Sequence, residues 1–331
     1  MFEGRNRDVH EALKCLISVT MLVLVSGGSV VASAGVASAA GGSVTEITAP
    51  AGGFLYAVSC WDATDCSTVG QDFHAQGANS NGTPISATET NGTWETTATE
   101  APASNGGVFY GVKCWSGTDC IAVGNDWNLN DEPIFASKGA GGWSTPTELP
   151  ESSGGYLYAV SCWDATHCMA VGADVAGEPI YAVLTASGGT WTSSGLNEVA
   201  IPQFGEFLGV SCWISGGTAG CTAVGDGDNH QPIRDTATES GTSWSWPAPT
   251  VITGAESVGK LTGISCVDAK DCSAVGVDTT TSNQPIRVVE AAGAWPSSIT
   301  KVVYPYPTVY NAISCTGAKD CASDRSRRPR T

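Results

Sequence analysis

The sequence predicts an all-β fold: a β-propeller of about six four-stranded blades, the last of them incomplete. Three observations predict it. A tandem repeat runs through the chain, with the first cysteines of successive copies separated by 54, 48, 50, 54 and 49 residues. Each copy contains four short β-type runs bounded by turn residues. Each copy also carries one local pair of cysteines, and no sustained helical periodicity interrupts the pattern after the N-terminal segment.

The third copy shows the elements in order. Leu157-Tyr158-Ala159-Val160-Ser161 leads into Cys162 as a first strand, and Cys168-Met169-Ala170-Val171-Gly172 forms a second. A third strand follows a Pro-Ile pair, which recurs at Pro84, Pro133, Pro179, Pro232 and Pro285. A fourth begins near Trp94, Trp143, Trp191, Trp244 and Trp295, tryptophans suited to packing between blades. The cysteine pairs are Cys60 with Cys66, Cys114 with Cys120, Cys162 with Cys168, Cys212 with Cys221, Cys266 with Cys272 and Cys315 with Cys321. Five of them enclose five residues and the fourth encloses eight, which suits a disulfide across the base of a hairpin, one per blade. Zinc sites use closer cysteine spacings and gather four ligands.

The two ends define the expected domains. Arg5, Arg7 and Lys14 precede an apolar run from Cys15 to Val25, and small residues lead to Ala37-Ser38-Ala39. This reads as a signal peptide over residues 1–39, with the propeller over 40–323. The segment Val44-Thr45-Glu46-Ile47 resembles the fourth-strand endings of other copies and is expected to complete the last blade. Residues 324–331 depart from the repeat and form an aberrant basic tail. A signal segment and paired cysteines imply a secreted or cell-surface protein with no membrane association beyond that segment.

Composition narrows the partners. The chain has 41 glycines in 331 residues, against an average usage of about 7%. From 41 to 323 there are 28 acidic residues against eight basic ones. That balance repels phosphate backbones and argues against a nucleic acid partner.

The recurring Ser-Cys-x5-Cys-x-Ala-Val-Gly segment followed by a Gly-x-Trp turn resembles secreted actinobacterial propellers related to the Asp-box (sialidase-type) repeat and to photosystem II assembly factor propellers. The resemblance covers roughly 44–321. Its acidic box position is held by Glu89, Glu239 and Glu290, five residues before the tryptophan, whereas Lys138 and Ala186 stand there in the other two copies. A sialidase-type site would require three arginines, a tyrosine activated by glutamate and an aspartic acid/base. Between 41 and 323 the only arginines are Arg234 and Arg287, so sialidase activity is not expected. Gly-x-Ser-x-Gly, His-Glu-x-x-His and P-loop motifs are also missing. His74, His167 and His230 read as separate surface residues.

Candidate ligand-binding residues cluster after the second strand. Asp72, Asp126, Asp174 and Asp278 each fall two residues after the glycine that ends it, with Asp226 and Asp228 flanking that place in the fourth copy. Phe73 and Trp127 follow, and Phe54, Phe109, Tyr156, Phe204, Phe207, Tyr304 and Tyr306 lie near the neighbouring connections. The aspartates read first as turn-initiating residues. A Ca²⁺ site is the alternative, but it needs six to eight oxygen ligands. Tyr56, Tyr110 and Tyr158 recur inside the first strand and read as core. The expected function is noncatalytic recognition of an extracellular protein or cell-wall glycan through one loop face, with no cofactor. The rival is a glycoside hydrolase or lyase with carboxylates in a central channel.

Overall fold

The computed structural model describes residues 25–26, 29–30 and 46–327, apart from 50–51, 74–81, 103–105, 128–130, 150–153, 200–204, 242, 253–258, 280–283, 291, 297–298, 302–307 and 318–319. Most of the expected signal segment and the tail beyond 327 therefore lie outside the described residues, as do His74, Phe204, Tyr304 and Tyr306. A two-residue ladder pairs β1 (Val25–Ser26) with β2 (Ser29–Val30).

Five antiparallel blades follow, each meandering outward in chain order. Blade 1 comprises β3 (Gly53–Cys60), β4 (Cys66–Asp72), β5 (Thr83–Thr90), β6 (Thr93–Trp94) and β7 (Thr99–Glu100). Blade 2 comprises β8 (Val108–Ser116), β9 (Asp119–Asp126), β10 (Glu132–Gly139), β11 (Gly142–Trp143) and β12 (Thr147–Glu148). Blade 3 uses β13 (Gly155–Asp164), β14 (His167–Asp174), β15 (Pro179–Ser187) and an unbroken β16 (Thr190–Glu198). Blade 4 uses β17 (Gly205–Ser215), β18 (Thr218–Gly227), β19 (Gln231–Ser240), β20 (Ser243–Ser245) and β21 (Thr250–Val251). Blade 5 uses β22 (Gly259–Asp268), β23 (Asp271–Asp278), β24 (Gln284–Val289) and β25 (Thr300–Lys301). In blades 1, 2 and 4 the fourth strand is split into two short pieces that both pair with the third.

The blade number corrects the expectation of about six. Among the described residues there are five four-stranded blades, and the sixth cysteine pair belongs to a two-stranded ladder, β26 (Thr308–Gly317) with β27 (Asp320–Arg327). Counting cysteine pairs overcounts blades because a pair needs only the first hairpin. Residues 324–327, expected in the tail, continue β27. The segment around Ile47 also lies elsewhere than expected. Thr48 pairs in parallel with Thr97, its N–H donating to Thr96 O and its carbonyl accepting from Ala98, both at 2.9 Å. Ile47 and Ala49 are buried with Leu55, Ile85 and Trp94 in blade 1. Among the described residues the last ladder has two strands, β26 and β27, and Thr48 pairs in blade 1 instead.

All six cysteine pairs are disulfides, five in the blades and one in the final ladder, and each joins directly opposed residues of a hairpin. The longer loop of blade 4 is accommodated by Gly216 and Gly217, both at positive φ, the conformation a tight hairpin turn demands.

The repeated motif has a structural meaning at each position. The serine before the first cysteine accepts a hydrogen bond from the next blade's cysteine N–H: Ser59 from Cys114, Ser161 from Cys212, Ser211 from Cys266 and Ser265 from Cys315, at 2.9–3.0 Å. First strands therefore pack against one another around the axis. The glycine of Ala-Val-Gly is enforced by close approach. A Cβ at Gly70, Gly124, Gly172, Gly225 or Gly276 would lie 1.8–1.9 Å from a first-strand carbonyl oxygen. Apolar side chains fill the wedges between blades, as where Ile121, Val123 and Phe135 meet Leu157, Ile180 and Leu184. The fourth-strand tryptophans serve the same wedges: Trp94 and Trp143 are buried, and Trp143 Nε1 donates to Ser86 Oγ of the preceding blade at 2.8 Å.

Candidate functional site

The first strand of every blade carries a β-bulge opposite the conserved-spacing glycine. Pairing slips between Leu55 and Ala57, Phe109 and Gly111, Leu157 and Ala159, Phe207 and Gly209, and Leu261 and Gly263. The residue left over is Tyr56, Tyr110, Tyr158, Leu208 and Thr262 in turn. A bulge re-aims its extra side chain away from the alternating pattern. Here it turns three tyrosines out of the core, which corrects their reading as core residues. Tyr56 is 44% exposed, and Tyr110 and Tyr158 are half-buried.

These rings form a continuous aromatic ladder across three innermost strands. Tyr56 and Tyr110 have centroids 5.4 Å apart, and Tyr110 and Tyr158 are 5.6 Å apart. Tyr156 stacks on Tyr158 at 5.9 Å with an interplanar angle of 3°. At the other end Phe54 contacts Tyr56 at 6.2 Å and Phe73 at 4.9 Å. Phe73, an expected ligand residue, is 39% exposed. Trp127, also expected, donates to Asn125 Oδ1 at 3.0 Å and offers a hydrogen bond to the Tyr110 hydroxyl. Phe109 and Phe207, by contrast, are fully buried.

Burial raises the Tyr110 hydroxyl to about 12, with Tyr56 and Tyr156 adding to the effect. Burial raises Tyr158 further, helped by Glu206. These phenols remain protonated and neutral near pH 7, available as hydrogen-bond donors but not activated as nucleophiles.

Charged side chains border the ladder. The Tyr156 hydroxyl bonds to the Asp131 carboxylate, which also lies near Tyr110. Glu206 lies beside Tyr158 and directly opposite Asp226 in the first hairpin of blade 4. Lys260 Nζ approaches Glu206 Oε1 to 3.9 Å, and His230 Nδ1 meets Asp226 Oδ2 at 3.1 Å. Burial raises Glu206, with Lys260 opposing the shift. The other oxygen of Asp226, Oδ1, is buried without a hydrogen-bond partner among the described residues.

The expected aspartates stand differently from their sequence reading. Asp72, Asp126, Asp174 and Asp278 are the last residues of their second strands and are buried. In blade 4 Gly227 occupies the matching register, and Asp228 begins the 3₁₀ turn Asp228–His230. The five carboxylates belong to separate blades. Asp174 Oδ1 accepts the Glu178 N–H at 2.7 Å, the local turn role read from sequence. Asp174, Glu178 and Glu198 bring three carboxylates together, short of a Ca²⁺ shell. In blade 5 Lys301 forms an ion pair with Asp278 at 2.6 Å. The two arginines of the blades lie on third strands, and Arg234 stands 5.5 Å over the Trp295 ring.

Comparison places the architecture among known folds. No protein-family model matches the chain, and no curated protein matches it. Among solved structures, Trypanosoma rangeli sialidase in complex with 2,3-difluorosialic acid aligns with a TM-score of 0.50 at 11% identity, covering 92% of this chain and 56% of that one. A protein of unknown function from Dyadobacter fermentans gives 0.49 at 10% identity, covering 83% and 95%. AofleA from Arthrobotrys oligospora gives 0.47 at 13% identity, covering 79% and 76%. The chain thus spans just over half the length of the sialidase. At such identity the likeness is one of fold: both chains are β-propellers.

Proposed function

We propose that this chain is a secreted, noncatalytic propeller that binds an extracellular glycan along the first strands of blades 1–3. The observation that carries the reading is the partly exposed ladder from Phe73 through Tyr56 and Tyr110 to Tyr156. Aromatic faces beside hydrogen-bonding groups suit the apolar faces and hydroxyl edges of sugars. The fold alone adds nothing to ligand choice, since one fold hosts many functions. Six disulfides support an oxidising compartment, and among the described residues no helix is long and apolar enough to cross a membrane.

Against a sialidase reaction stand the count of two arginines between 41 and 323, where three are required, and the third-strand position of both, Arg234 and Arg287. The hydrolase alternative rests on one pair, Glu206 facing Asp226, whose carboxylates are already engaged by Lys260 and His230. A glycan array with the oxidised chain, paired with a polysaccharide-turnover assay, tests the reading. Binding without turnover, lost in Tyr110→Ala, is expected. Turnover abolished by Glu206→Gln would establish the alternative, and binding only to a protein ligand would refute the glycan reading.

A further inference from the structure

The ladder and the charges around it select among glycans, and this step rests on the glycan reading above. We infer that the aromatic ladder binds a polycationic amino sugar, a glucosamine oligomer with free amines, in preference to neutral or acidic sugars. Three observations converge on that ligand. Three tyrosine rings stand in a row with centroids 5.4 and 5.6 Å apart, tilted by 62° and 56° to one another, and aromatic rings attract ammonium groups to their faces. Carboxylates gather at the blade 3 end of the row, around the stacked Tyr156 and Tyr158: Asp131 holds the Tyr156 hydroxyl, and Glu206 lies beside Tyr158 with Asp226 opposite it. Two basic side chains, Lys260 at 3.9 Å from Glu206 and His230 at 3.1 Å from Asp226, face three carboxylates, Asp131, Glu206 and Asp226, so acidic groups are in excess there.

The arrangement divides the work between the two kinds of group. Ring faces hold the sugar's apolar face, while Asp131 and Glu206 receive protonated amines projecting from its edge. Acetylation removes the charge and leaves the sugar face, so it isolates the electrostatic part. A uronate oligomer would instead meet carboxylate with carboxylate, a repulsion that excludes it. The whole chain's charge of −17 acts in the same direction, drawing polycations toward the protein.

The test titrates three hexamers into the full oxidised chain by calorimetry: glucosamine, N-acetylglucosamine and galacturonate, at a pH where the amines are protonated. The glucosamine hexamer is expected to bind about tenfold more tightly than its acetylated form. Added salt should narrow the gap, and galacturonate should not bind. Asp131→Asn and Glu206→Gln should each weaken the amine form several-fold without altering the acetylated one. Asp131 sits at φ 54°, which asparagine tolerates, so that variant keeps its fold. Equal affinity for both forms, lost in Tyr110→Ala, would overturn the charge inference and leave the glycan reading intact. Tight galacturonate binding, failure of all three to bind, or amine binding indifferent to both carboxylate variants would also overturn it.

Discussion

Replacing Ser59 by alanine should loosen the joint between blades 1 and 2 specifically. The Ser59 hydroxyl accepts the Cys114 N–H at 3.0 Å, and both residues are buried. Without the hydroxyl, that N–H faces alanine's methyl group, and leaving a buried donor unsatisfied costs about 1–3 kcal/mol. At about 2 °C per kcal/mol for a chain of this size, the melting temperature should fall by roughly 2–6 °C. Ser211→Ala should cost less, about 0.5–1.5 kcal/mol, because its partner Cys266 is only half-buried. Blade 2 supplies an internal control. Lys113 stands at the serine position there, and burial lowers its pKa, so blade 3 receives no hydroxyl at Cys162. Lys113→Ser should therefore stabilise the chain by about 1 kcal/mol. Differential scanning calorimetry under oxidising conditions measures all three. Unchanged melting in Ser59→Ala, or destabilisation by Lys113→Ser, would refute the claim that this serine couples neighbouring blades.

Other expectations concern the site and its supports. Tyr110→Ala should weaken glycan binding about tenfold while Tyr110→Phe retains most of it, because ring stacking outweighs the hydroxyl; calorimetric titration distinguishes them. Reduction of the disulfides should lower the melting temperature, since each short loop contributes roughly 2 kcal/mol on the chain-entropy view, and a melt unchanged by reductant would contradict it. Burial raises Asp235 from its ordinary 3.8 to about 6 and Glu290 from 4.5 to about 6. The folded state then holds protons the unfolded chain has released, so stability should fall as pH rises from about 4 through 6. Asp235→Asn and Glu290→Gln should flatten that decline in melts taken across the range. Asp174→Ala should destabilise by about 1 kcal/mol equally with Ca²⁺ or chelator, the loss of its bond to the Glu178 N–H; a Ca²⁺-dependent difference would instead argue for a metal there.

Much of the fold was legible because the repeat encodes a local requirement in each copy. Cysteines mark the first hairpin, and prolines open third strands whose Pro84, Pro133, Pro179 and Pro232 carbonyls accept the N–H of the residue just after the fourth strand. Blade number was less legible, because Cys315 and Cys321 announce a hairpin whether or not outer strands follow. The binding candidates were harder still. Asp72 and its counterparts looked like loop residues because the glycine before them resembles a strand end, yet that glycine yields to a passing carbonyl and the strand continues. The tyrosines did leave a signal. Core residues Phe109 and Val112, or Leu157 and Val160, are three apart where an unbroken strand would place them two apart. Asp131 and Glu206 left none, since no other copy repeats them at those places.

The bulge explains why recognition can be confined to part of a nearly symmetric ring. Its backbone geometry is imposed by five glycines and five passing carbonyls, so every blade must form it whatever side chain it carries. The re-aimed residue contributes little to blade packing and is therefore free to vary. Blades 1–3 use tyrosine; blade 4 uses Leu208; blade 5 uses Thr262, whose hydroxyl donates to Tyr310 O of the final ladder at 2.8 Å. Aromatic surface is thus concentrated on one arc, and Glu206 and Lys260 begin the next. A uniform ring would offer a ligand several equivalent poses, whereas an aromatic arc ending at charged groups offers one direction. Placing tyrosine at position 208 tests that logic: Leu208→Tyr should extend the ladder toward Glu206 and tighten binding of longer oligomers more than short ones. Equal gains at every length would mean that the rings act singly, and no gain at any length would mean that the ladder does not set the binding arc.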